Sequence, residues 1–505
     1  MEADVDDILI SDSNSCTGIK LSSGVMITAN ATVIATGTFL GGVIYTGLRS
    51  RSAGRIEDTS KHQSSLASTI KHHFVTGRLK TGSPPRLLSS SLALSKCVLV
   101  FNDAIPEPFS FISNKVWLRP EHQTPNYHTI INAEDCKDLV ESTRDFNYHV
   151  KADLVFAPRY CPSVESKVER FNTSNFAVWL EPEGLCSELV YPNGLTCTMP
   201  EYAQERLVRM VPGLEAAEIV QYGYGVHYDF VDPRQLNTTL ETKSISGLFL
   251  AGQINGTTGY EEAAGQGLVA GANAAAIALN LKPLLVDRFS SYIGVMIDDI
   301  TTVGVVEPYR MFTSRAELRL FLRPDNADNR LSKIGFDLGL VDSHRNQLHL
   351  DDEEVVDELK DFVTSYKEKG SYWKSVLPFL NIDSNRTLAI KQLLTIPGVE
   401  MSQLYSHFPP HLLKSLNNRP LLANRLMADA LYESSLERQR KSIETMLTDS
   451  EVRLKTNINY STLGRAVTPS TIEALKLAKP ESLMAAKRIP GISTSALVQL
   501  MQLSR

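Results

Sequence analysis

Apolar and polar residues alternate in three short runs near the start of the chain. The runs are VDDILI, CTGIKL and VMITANATVIAT, with Ser, Asn and Gly clustered between them. Alternation with a period of two predicts β-strands, so residues 5–36 are expected to form a small meander. Within it, ATVIA at residues 31–35 predicts a short buried strand that ends at Thr36, Gly37 and Thr38.

A second buried strand is predicted at Gly247–Ala251, with the sequence GLFLA. A glycine-rich stretch follows it, and six glycines fall between Gly252 and Gly271. The most apolar run, Leu268–Leu285, consists mostly of Ala and Gly with Asn273 and Asn280 inside it, which favours a packed helix over a membrane span.

The remaining patterns divide the chain in two. Residues 49–90 are rich in Gly, Pro, Arg and Lys and predict loops around a short helix, and residues 91–220 mix strands with turns. A helix is predicted at Pro200–Met210, with Pro at its first position. Residues 351–369 are highly charged and helical, and the Leu-rich remainder to residue 505 predicts a mostly helical region.

Composition and charge limit the class of protein. The 505 residues are 43% hydrophobic and 21% charged, which predicts a globular protein of several domains at about 150 residues each. The six cysteines form no CxxC pair, so neither a zinc ribbon nor a disulfide framework is expected. The acidic start of the chain has no signal or transit pattern.

The formal charge of −6 is unevenly distributed. Residues 421–505 carry 12 basic and 8 acidic side chains, or +4, which leaves −10 for the rest. A basic helical end on an acidic body is compatible with an anionic partner such as RNA, although solvated helix faces often give such an excess.

Glycines directly after a buried strand are the strongest chemical signal. They allow close approach of backbone to a ligand, and the following helix start suits a pyrophosphate. This places Gly252, Gln253, Gly256 and Gly259 among the candidate binding residues. The GxGxxxG spacing of Gly265, Gly267 and Gly271 follows no strand, so tight helix packing is the favoured interpretation there.

The segment RYCPSVESKVERF, Arg159–Phe171, surrounds Cys161 with cationic side chains. Cations lower the pKa of a thiol and favour the nucleophilic thiolate, but a buried, inert cysteine remains an alternative. For the other five cysteines the inert alternative is favoured. His62, His72 and His73 have no acidic or thiol companions at ligand spacing, so solvated loop positions are favoured and no metal site is predicted.

Four arginines recur in EPYRMFTSRAELRLFLRPDNADNRL, Glu307–Leu331. On a helix, their spacing of five, four and four would place Arg310, Arg315, Arg319 and Arg323 on roughly one face. Such an array can grip phosphates or a carboxylate. The alternative is an intramolecular network with the acidic side chains that interleave it.

Six motifs together resemble the GidA/MnmG family of FAD-dependent flavoproteins that modify the wobble uridine of tRNA, in its eukaryotic, mitochondrial-type branch. In chain order they are VIATGTFLGG, GRLKTGSPPRL, RYCPSVESKVERF, YPNGLTCTMP, AGQINGTTGYEEAAGQG and PYRMFTSRAELRLFLRPDNADNRL. The resemblance covers essentially the whole chain.

The resemblance implies addition of a carboxymethylaminomethyl-type group to C5 of wobble uridine, with a GTPase partner and a homodimeric assembly. It implies FAD as cofactor, NADH as the reductant of the flavin and methylenetetrahydrofolate as the one-carbon donor. Cys161 matches the nucleophile that attacks uridine C6. It also implies a mitochondrial location.

Further site residues are carried over by the same resemblance or follow from the strand ends. The cofactor-binding set is Val5, Thr36, Gly37, Ser60, Gly252, Gln253, Gly256, Gly259, Arg159 and Tyr160, of which Arg159 and Tyr160 lie in the NAD segment 157–171. The expected tRNA or phosphate contacts are Arg310, Arg315, Arg319, Arg438, Arg440 and Lys441. No metal ligand is expected.

One family feature has no counterpart in this sequence. No GxGxxG follows a strand, so the first nucleotide-binding unit, with the family's second cysteine, is expected to be missing through N-terminal truncation. This departure keeps a second hypothesis open, a non-catalytic tRNA- or GTPase-binding protein. The folate-dependent tRNA uracil methyltransferase relative is disfavoured, because it lacks the helical tail and the PYRMFTSRAELRL segment.

The expected fold is therefore α/β. It comprises an incomplete Rossmann-like FAD-binding domain of the two-dinucleotide-binding-domain type at residues 1–48 and 222–300, an inserted α/β substrate and NAD domain at 49–221, and a mainly helical tRNA- and partner-binding domain at 301–505.

Overall fold

The computed structural model describes residues 1–58, 64–103, 106–119, 122–151, 163–169, 174–455, 457–489 and 491–504. The strands there are, in order, β1 (Val5–Ile10), β2 (Cys16–Leu21), β3 (Met26–Thr28), β4 (Thr32–Ile34), β5 (Val43–Thr46), β6 (Arg49–Ser52), β7 (Thr76–Ser83), β8 (Arg86–Leu88), β9 (Val98–Val100), β10 (Asn126–Asn132), β11 (Asn175–Pro182), β12 (Leu189–Asn193), β13 (Ile219–Gln221), β14 (Tyr224–Val231), β15 (Leu248–Leu250), β16 (Lys367–Lys369) and β17 (Thr387–Ala389).

The α-helices of the same described ranges are α1 (Leu66–His73), α2 (Ala133–Thr143), α3 (Tyr148–Lys151), α4 (Val164–Glu169), α5 (Glu201–Arg209), α6 (Tyr260–Leu279), α7 (Tyr292–Thr302), α8 (Ala327–Asp337), α9 (Ser343–Ser365), α10 (Gly370–Val376), α11 (Ile390–Leu393), α12 (Pro410–Asn418), α13 (Leu421–Glu451), α14 (Pro469–Ala478), α15 (Leu483–Lys487) and α16 (Thr494–Ser504). Among these residues, no helix is both long and apolar enough to cross a membrane.

The first unit combines an antiparallel meander with a parallel strand pair. Strands β1, β2 and β3 form the meander, and β15 pairs in parallel with β4. Its core contains Ile8, Ile34, Phe249 and Val269, so the meander, both parallel strands and α6 share one apolar interior. The meander and the two buried strands predicted from the sequence are confirmed.

A four-stranded antiparallel sheet lies next in the chain, with the order β6-β5-β14-β7. Its central strand β14 is buried at almost every position, as expected for a strand flanked on both sides by β5 and β7. Strand β6 (49–52) pairs with β5, and β7 (76–83) pairs with β14. Strand β5 precedes the predicted insert in the chain and β14 follows it. The proposed domain boundaries remain a prediction.

A six-stranded sheet, β13-β8-β12-β11-β10-β9, forms the second core with α2, α4 and α5. Strand β11 shows why the sequence folds this way, because its residues alternate between exposed and buried over NFAVWL. Its inward side chains Phe176, Val178 and Leu180 pack in the core. Helix α5 begins at Glu201. Pro200 is its N-cap residue, whereas the sequence predicts this proline as the first helical residue.

Beyond residue 326 the structure is mostly helical, as the sequence predicts. One core joins α9, α10, α11, α12 and α13, with Trp373 fully buried at its centre. A smaller core contains Leu475, Ile489 and Leu500 and joins the last three helices. The expected helix over residues 351–369 ends at Ser365, because Lys367–Lys369 form strand β16 against β17.

Candidate functional site

The ends of the two parallel strands form the centre of the candidate site. Leu248 pairs with Thr32 and Leu250 with Ile34, and the Ala251 N–H donates to the Ile34 carbonyl at 3.0 Å. Parallel strands point their carboxyl ends at the same sheet edge, where α/β proteins bind nucleotides. The loops after Ile34 and Leu250 therefore meet at that edge.

Gly37 and Gln253 bring the two loops together. Gly37 has a φ of +57°, and a Cβ on it would lie 3.5 Å from Oε1 of Gln253. The glycine thus adopts a left-handed conformation and keeps the space beside the Gln253 amide open. Next to it, the buried hydroxyl oxygen of Thr36 has no hydrogen-bond partner among the described residues. These three residues were predicted from the sequence, and the structure places them together.

A buried side chain from α6, Gln266, holds the second loop in place. Its Oε1 accepts from the Gly252 N–H at 3.2 Å and from Nδ2 of Asn255 at 2.8 Å. Its Nε2 donates to the Thr257 hydroxyl at 2.9 Å. Gln266 is fully buried, so this network fixes the loop from residue 252 to residue 257.

The segment that follows α7 also supports this loop. The Tyr309 N–H donates to the Gly256 carbonyl at 2.8 Å, and the Thr258 N–H donates back to the Tyr309 carbonyl at 2.8 Å. The Met311 N–H donates to Oε1 of Glu262 at 2.7 Å. Part of the arginine-rich motif therefore has a structural role, because it packs behind the glycine loop and holds it by backbone hydrogen bonds.

Gly256 lies in the glycine loop, and Gly259 lies at the start of helix α6. Gly256 has a φ of +76°, and a Cβ there would lie 2.4 Å from Cγ2 of Val305. Gly259 is the N-cap residue of α6, and Tyr260 after it is 92% exposed. In the helix itself, a Cβ on Gly265 would lie 3.1 Å from Ile293, which agrees with the expected tight packing. That expectation is wrong for Gly267 and Gly271, because a Cβ on either would meet no described atom within 4 Å.

The four arginines do not share a helix face, because residues 307–323 form turns and the short 3-10 helix Thr313–Arg315. The one-face arrangement that a helix would give is therefore wrong. Arg323 is buried and pairs with Asp325 and Asp429, in agreement with the intramolecular alternative.

The other three arginines differ in exposure. Arg315 lies over the Tyr309 ring at 4.2 Å and donates from Nε to the Arg310 carbonyl at 2.9 Å. Arg310 and Arg319 are exposed. Exposed guanidinium groups suit phosphate contacts, whereas the buried Arg323 does not.

Cys161, Arg159, Tyr160 and Ser60 lie outside the described residues. The described chain resumes just beyond Cys161 at α4, where Glu165 is buried and accepts from Nδ2 of Asn147 at 3.1 Å and from the Thr198 N–H at 2.9 Å. Burial raises the pKa of Glu165 above its ordinary value. This carboxyl anchors α4 to the six-stranded sheet unit.

The other cysteines are mostly sequestered. Cys16, Cys136 and Cys197 are buried, Cys97 is half-buried and Cys186 is exposed. Burial raises the pKa of Cys136 to about 11, and it also raises that of Cys197. The expectation of a buried position is therefore wrong for Cys186. Within the described residues, His, Cys, Asp and Glu form no group that could hold a metal ion.

The remaining predicted site residues lie in β1 and in helix α13. Val5 opens β1 and pairs with Leu21. Arg438 is exposed on α13, where its Nε donates to the Ser434 carbonyl at 3.1 Å. The side chains of Arg440 and Lys441 lie outside the described part of the structure.

Comparison with known proteins identifies the family. The model for "Glucose inhibited division protein A" matches residues 1–282, and that for "tRNA modifying enzyme MnmG/GidA C-terminal helical bundle" matches residues 442–505. The chain belongs to the GidA/MnmG family. The fold agrees: GidA of Aquifex aeolicus in its form II crystal superposes with a TM-score of 0.86 at 34% identity, covering 100% of this chain and 80% of that protein.

Relatives of this GidA/MnmG chain come from mitochondria and bacteria. It is 42% identical over 494 residues to the mitochondrial 5-taurinomethyluridine-[tRNA] synthase subunit MTO1 of Macaca fascicularis, covering 96% of this chain and 70% of the relative. It is 36% identical over 505 residues to the tRNA uridine 5-carboxymethylaminomethyl modification enzyme MnmG of Syntrophotalea carbinolica, covering 98% and 79%.

Sequence reasoning missed Gln266 and the buried histidine pair His149 and His227, whose Nδ1 and Nε2 atoms lie 3.1 Å apart. A signal for Gln266 existed, because it is a polar residue within a run of Ala, Gly and apolar side chains from residue 263 to residue 272. The histidines carry no such signal, since their partners are 78 residues apart in the chain.

Proposed function

We propose that this GidA/MnmG chain is an FAD-dependent enzyme that adds a carboxymethylaminomethyl-type group to C5 of wobble uridine in tRNA. The observation that supports it most is the family match over nearly the whole chain, together with relatives named as tRNA uridine modification enzymes. A site at the parallel strand ends supports the flavin part of the proposal.

The residues present at that site fit part of an FAD. Thr36 supplies a buried hydroxyl without a partner among the described residues, and Gly37 leaves open space beside the Gln253 amide. Gly252 has a φ of +83° and presents backbone at the same edge. In this proposal Thr36, Gly37 and Gln253 hold the cofactor, which supplies hydride transfer when bound.

Cys161 is the proposed nucleophile. Its thiolate adds to C6 of the uridine, which makes C5 nucleophilic toward the one-carbon unit, and the thiolate leaves when the C5 proton is lost. Methylenetetrahydrofolate is the proposed one-carbon donor, and NADH the reductant of the flavin. Arg159 and Tyr160 belong to the proposed NAD segment.

The exposed Arg310 and Arg319, together with Arg315 and the basic residues Arg438, Arg440 and Lys441 on α13, are the proposed tRNA contacts. A GTPase partner, a homodimer and a mitochondrial location complete the proposal. The mitochondrial MTO1 relatives support the location.

The test uses the purified chain with FAD and Cys161→Ser. We expect the wild-type chain to bind FAD and to modify tRNA with its partner proteins, and Cys161→Ser to keep FAD and lose modification. A chain that cannot be loaded with FAD but still retains tRNA in a salt-dependent manner would instead support the non-catalytic tRNA-binding alternative.

A further inference from the structure

A cavity lies between the last helices, α14 and α15, and the part of the chain around residues 236–302, which we call the body. Its volume is about 180 Å³, and its wall on the body side includes Lys243, Arg288 and Asp298. On the other side lie residues 478–482, at the end of α14 and the start of the next turn. A molecule in this cavity would contact both parts at once.

Lys243 places a half-buried cation at this cavity. Its Nζ donates to the Arg234 carbonyl at 2.9 Å and to the Ala478 carbonyl at 2.5 Å. An ammonium group has three donors, so one remains. Among the described residues, no carboxylate lies within ion-pair distance of this Nζ, and burial lowers the pKa of Lys243 to about 8 despite the more distant Glu481.

The acidic side chains of the cavity wall are already engaged. Asp298 pairs with Arg288 and with Arg488. Glu481 accepts from the Thr238 hydroxyl at 3.4 Å and lies 3.8 Å from Arg453. Asp298 and Glu481 are therefore paired with other cations, and Glu481 acts on Lys243 only at longer range.

Asp287, the remaining acid of the wall, accepts from the backbone N–H groups of Phe289 and Ser290. The guanidinium of Arg288 is paired with Asp299 and Glu317, so it is already engaged. Lys479 is exposed at the rim. The lining contains four cationic side chains, Lys243, Arg288, Arg453 and Lys479, and three acidic ones, Asp287, Asp298 and Glu481, so it carries one positive charge in excess.

We propose that this cavity binds a small molecule carrying a phosphate or carboxylate group, which fastens the C-terminal helices to the body. An anion there accepts from the third Lys243 donor and supplies a counter-charge to this half-buried ammonium group. The site is separate from the strand-end site, and its occupancy strengthens a contact that already involves Lys243 and the Ala478 carbonyl.

The experiment is a titration of the purified chain with inorganic phosphate, followed by calorimetry and thermal unfolding, with malonate as a competing carboxylate. We expect saturable binding that raises Tm, and slower amide hydrogen exchange in residues 478–489. Lys243→Met is expected to weaken phosphate binding about tenfold, because it removes a charge-assisted hydrogen bond while keeping side-chain length.

Two more variants separate binding from folding. Lys479→Asn changes only the exposed rim, at a φ of +44° that Asn tolerates, and is expected to weaken phosphate binding without lowering the Tm of the free chain. The exposed Lys282→Met, outside the cavity, is the control and should leave binding unchanged. Equal phosphate affinity in Lys243→Met, Lys479→Asn and wild type would overturn the proposal, as would displacement of phosphate by tRNA.

Discussion

Nδ1 of His149 lies 3.1 Å from Nε2 of His227, and both rings are buried. His149 is in α3, shortly before the segment that contains Cys161, and His227 is in β14 of the four-stranded sheet. Lys80 Nζ also donates to the His149 carbonyl at 2.6 Å. The pair therefore ties the start of the proposed nucleophile segment to the sheet.

This pair predicts a loss of stability in acid. Burial lowers the pKa of His149 well below its ordinary value and that of His227 to about 3. The unfolded chain therefore binds more protons below about pH 6.5, so the pair's contribution is complete above that pH and is lost as the pH falls toward 3. This contribution to Tm should be constant from pH 8 to about pH 6.5 and should fall from there to pH 4.

His227→Gln tests the assignment. At pH 8 it should lower the free energy of unfolding by about 1–3 kcal/mol, since His149 loses its buried partner. The same variant should reduce the slope of unfolding free energy against pH, below about pH 6.5, by up to about 1.4 kcal/mol per pH unit. The exposed His344→Gln serves as control, and an acid slope that is identical in wild type and His227→Gln would contradict the prediction.

Gly37→Ala should weaken FAD binding. The φ of +57° makes any Cβ unfavourable by about 1–2 kcal/mol, and the new methyl group fills the space beside Gln253. Gly24→Ala is the matched control, because Gly24 also has a positive φ, +86°, and a Cβ there meets nothing within 4 Å. Both variants should lose similar stability in denaturant unfolding, and only Gly37→Ala should lose FAD in a flavin titration.

Gln266→Leu should disorder the glycine loop. It leaves the Gly252 N–H and the Asn255 amide without their buried acceptor, at a cost of about 1–3 kcal/mol for each group. Asn273→Leu provides a comparison on the same helix, because Asn273 is also buried but bonds the Thr239 and Leu284 backbone instead. Both should unfold more easily; a comparable loss of FAD in both would show that Gln266 has no special role.

The sequence predicts the local elements of this fold better than its long-range pairings. The alternation in VDDILI and the apolar run GLFLA predict strands, because the pattern of buried and exposed positions can be read from neighbouring residues. The contact of Gly37 with Gln253, and that of Gln266 with the loop, depends on how distant segments pack. The arginine motif misled for the same reason: its spacing fits a helix, but Tyr309 pairs with Gly256 and the residues that follow form turns and a short 3-10 helix.

Arg319 and Arg323 should respond differently to substitution by alanine. Arg319 is exposed, so its loss should weaken tRNA binding and lower the salt slope by about 1 without affecting Tm. Arg323 is buried and pairs with Asp325 and Asp429, so its loss leaves Asp325 without this cation and Asp429 with Lys360 alone, which should cost about 3 kcal/mol. Filter binding at several salt concentrations and thermal unfolding distinguish the two; an unchanged salt slope in Arg319→Ala would remove it from the tRNA surface.

Cys161 should be alkylated faster than the other cysteines of the chain if it is the nucleophile. The thiolate is the reactive form, so burial and the raised pKa of Cys136 and Cys197 should keep both slow toward iodoacetamide at pH 7.5. Cys186 is exposed and should react at the rate of an ordinary thiol. In a Cys186→Ser background, mass spectrometry should then find fast labelling at Cys161, and tRNA modification should fall in step with it. Labelling at Cys161 that leaves modification intact would exclude it as the nucleophile, because an alkylated sulfur cannot add to uridine C6.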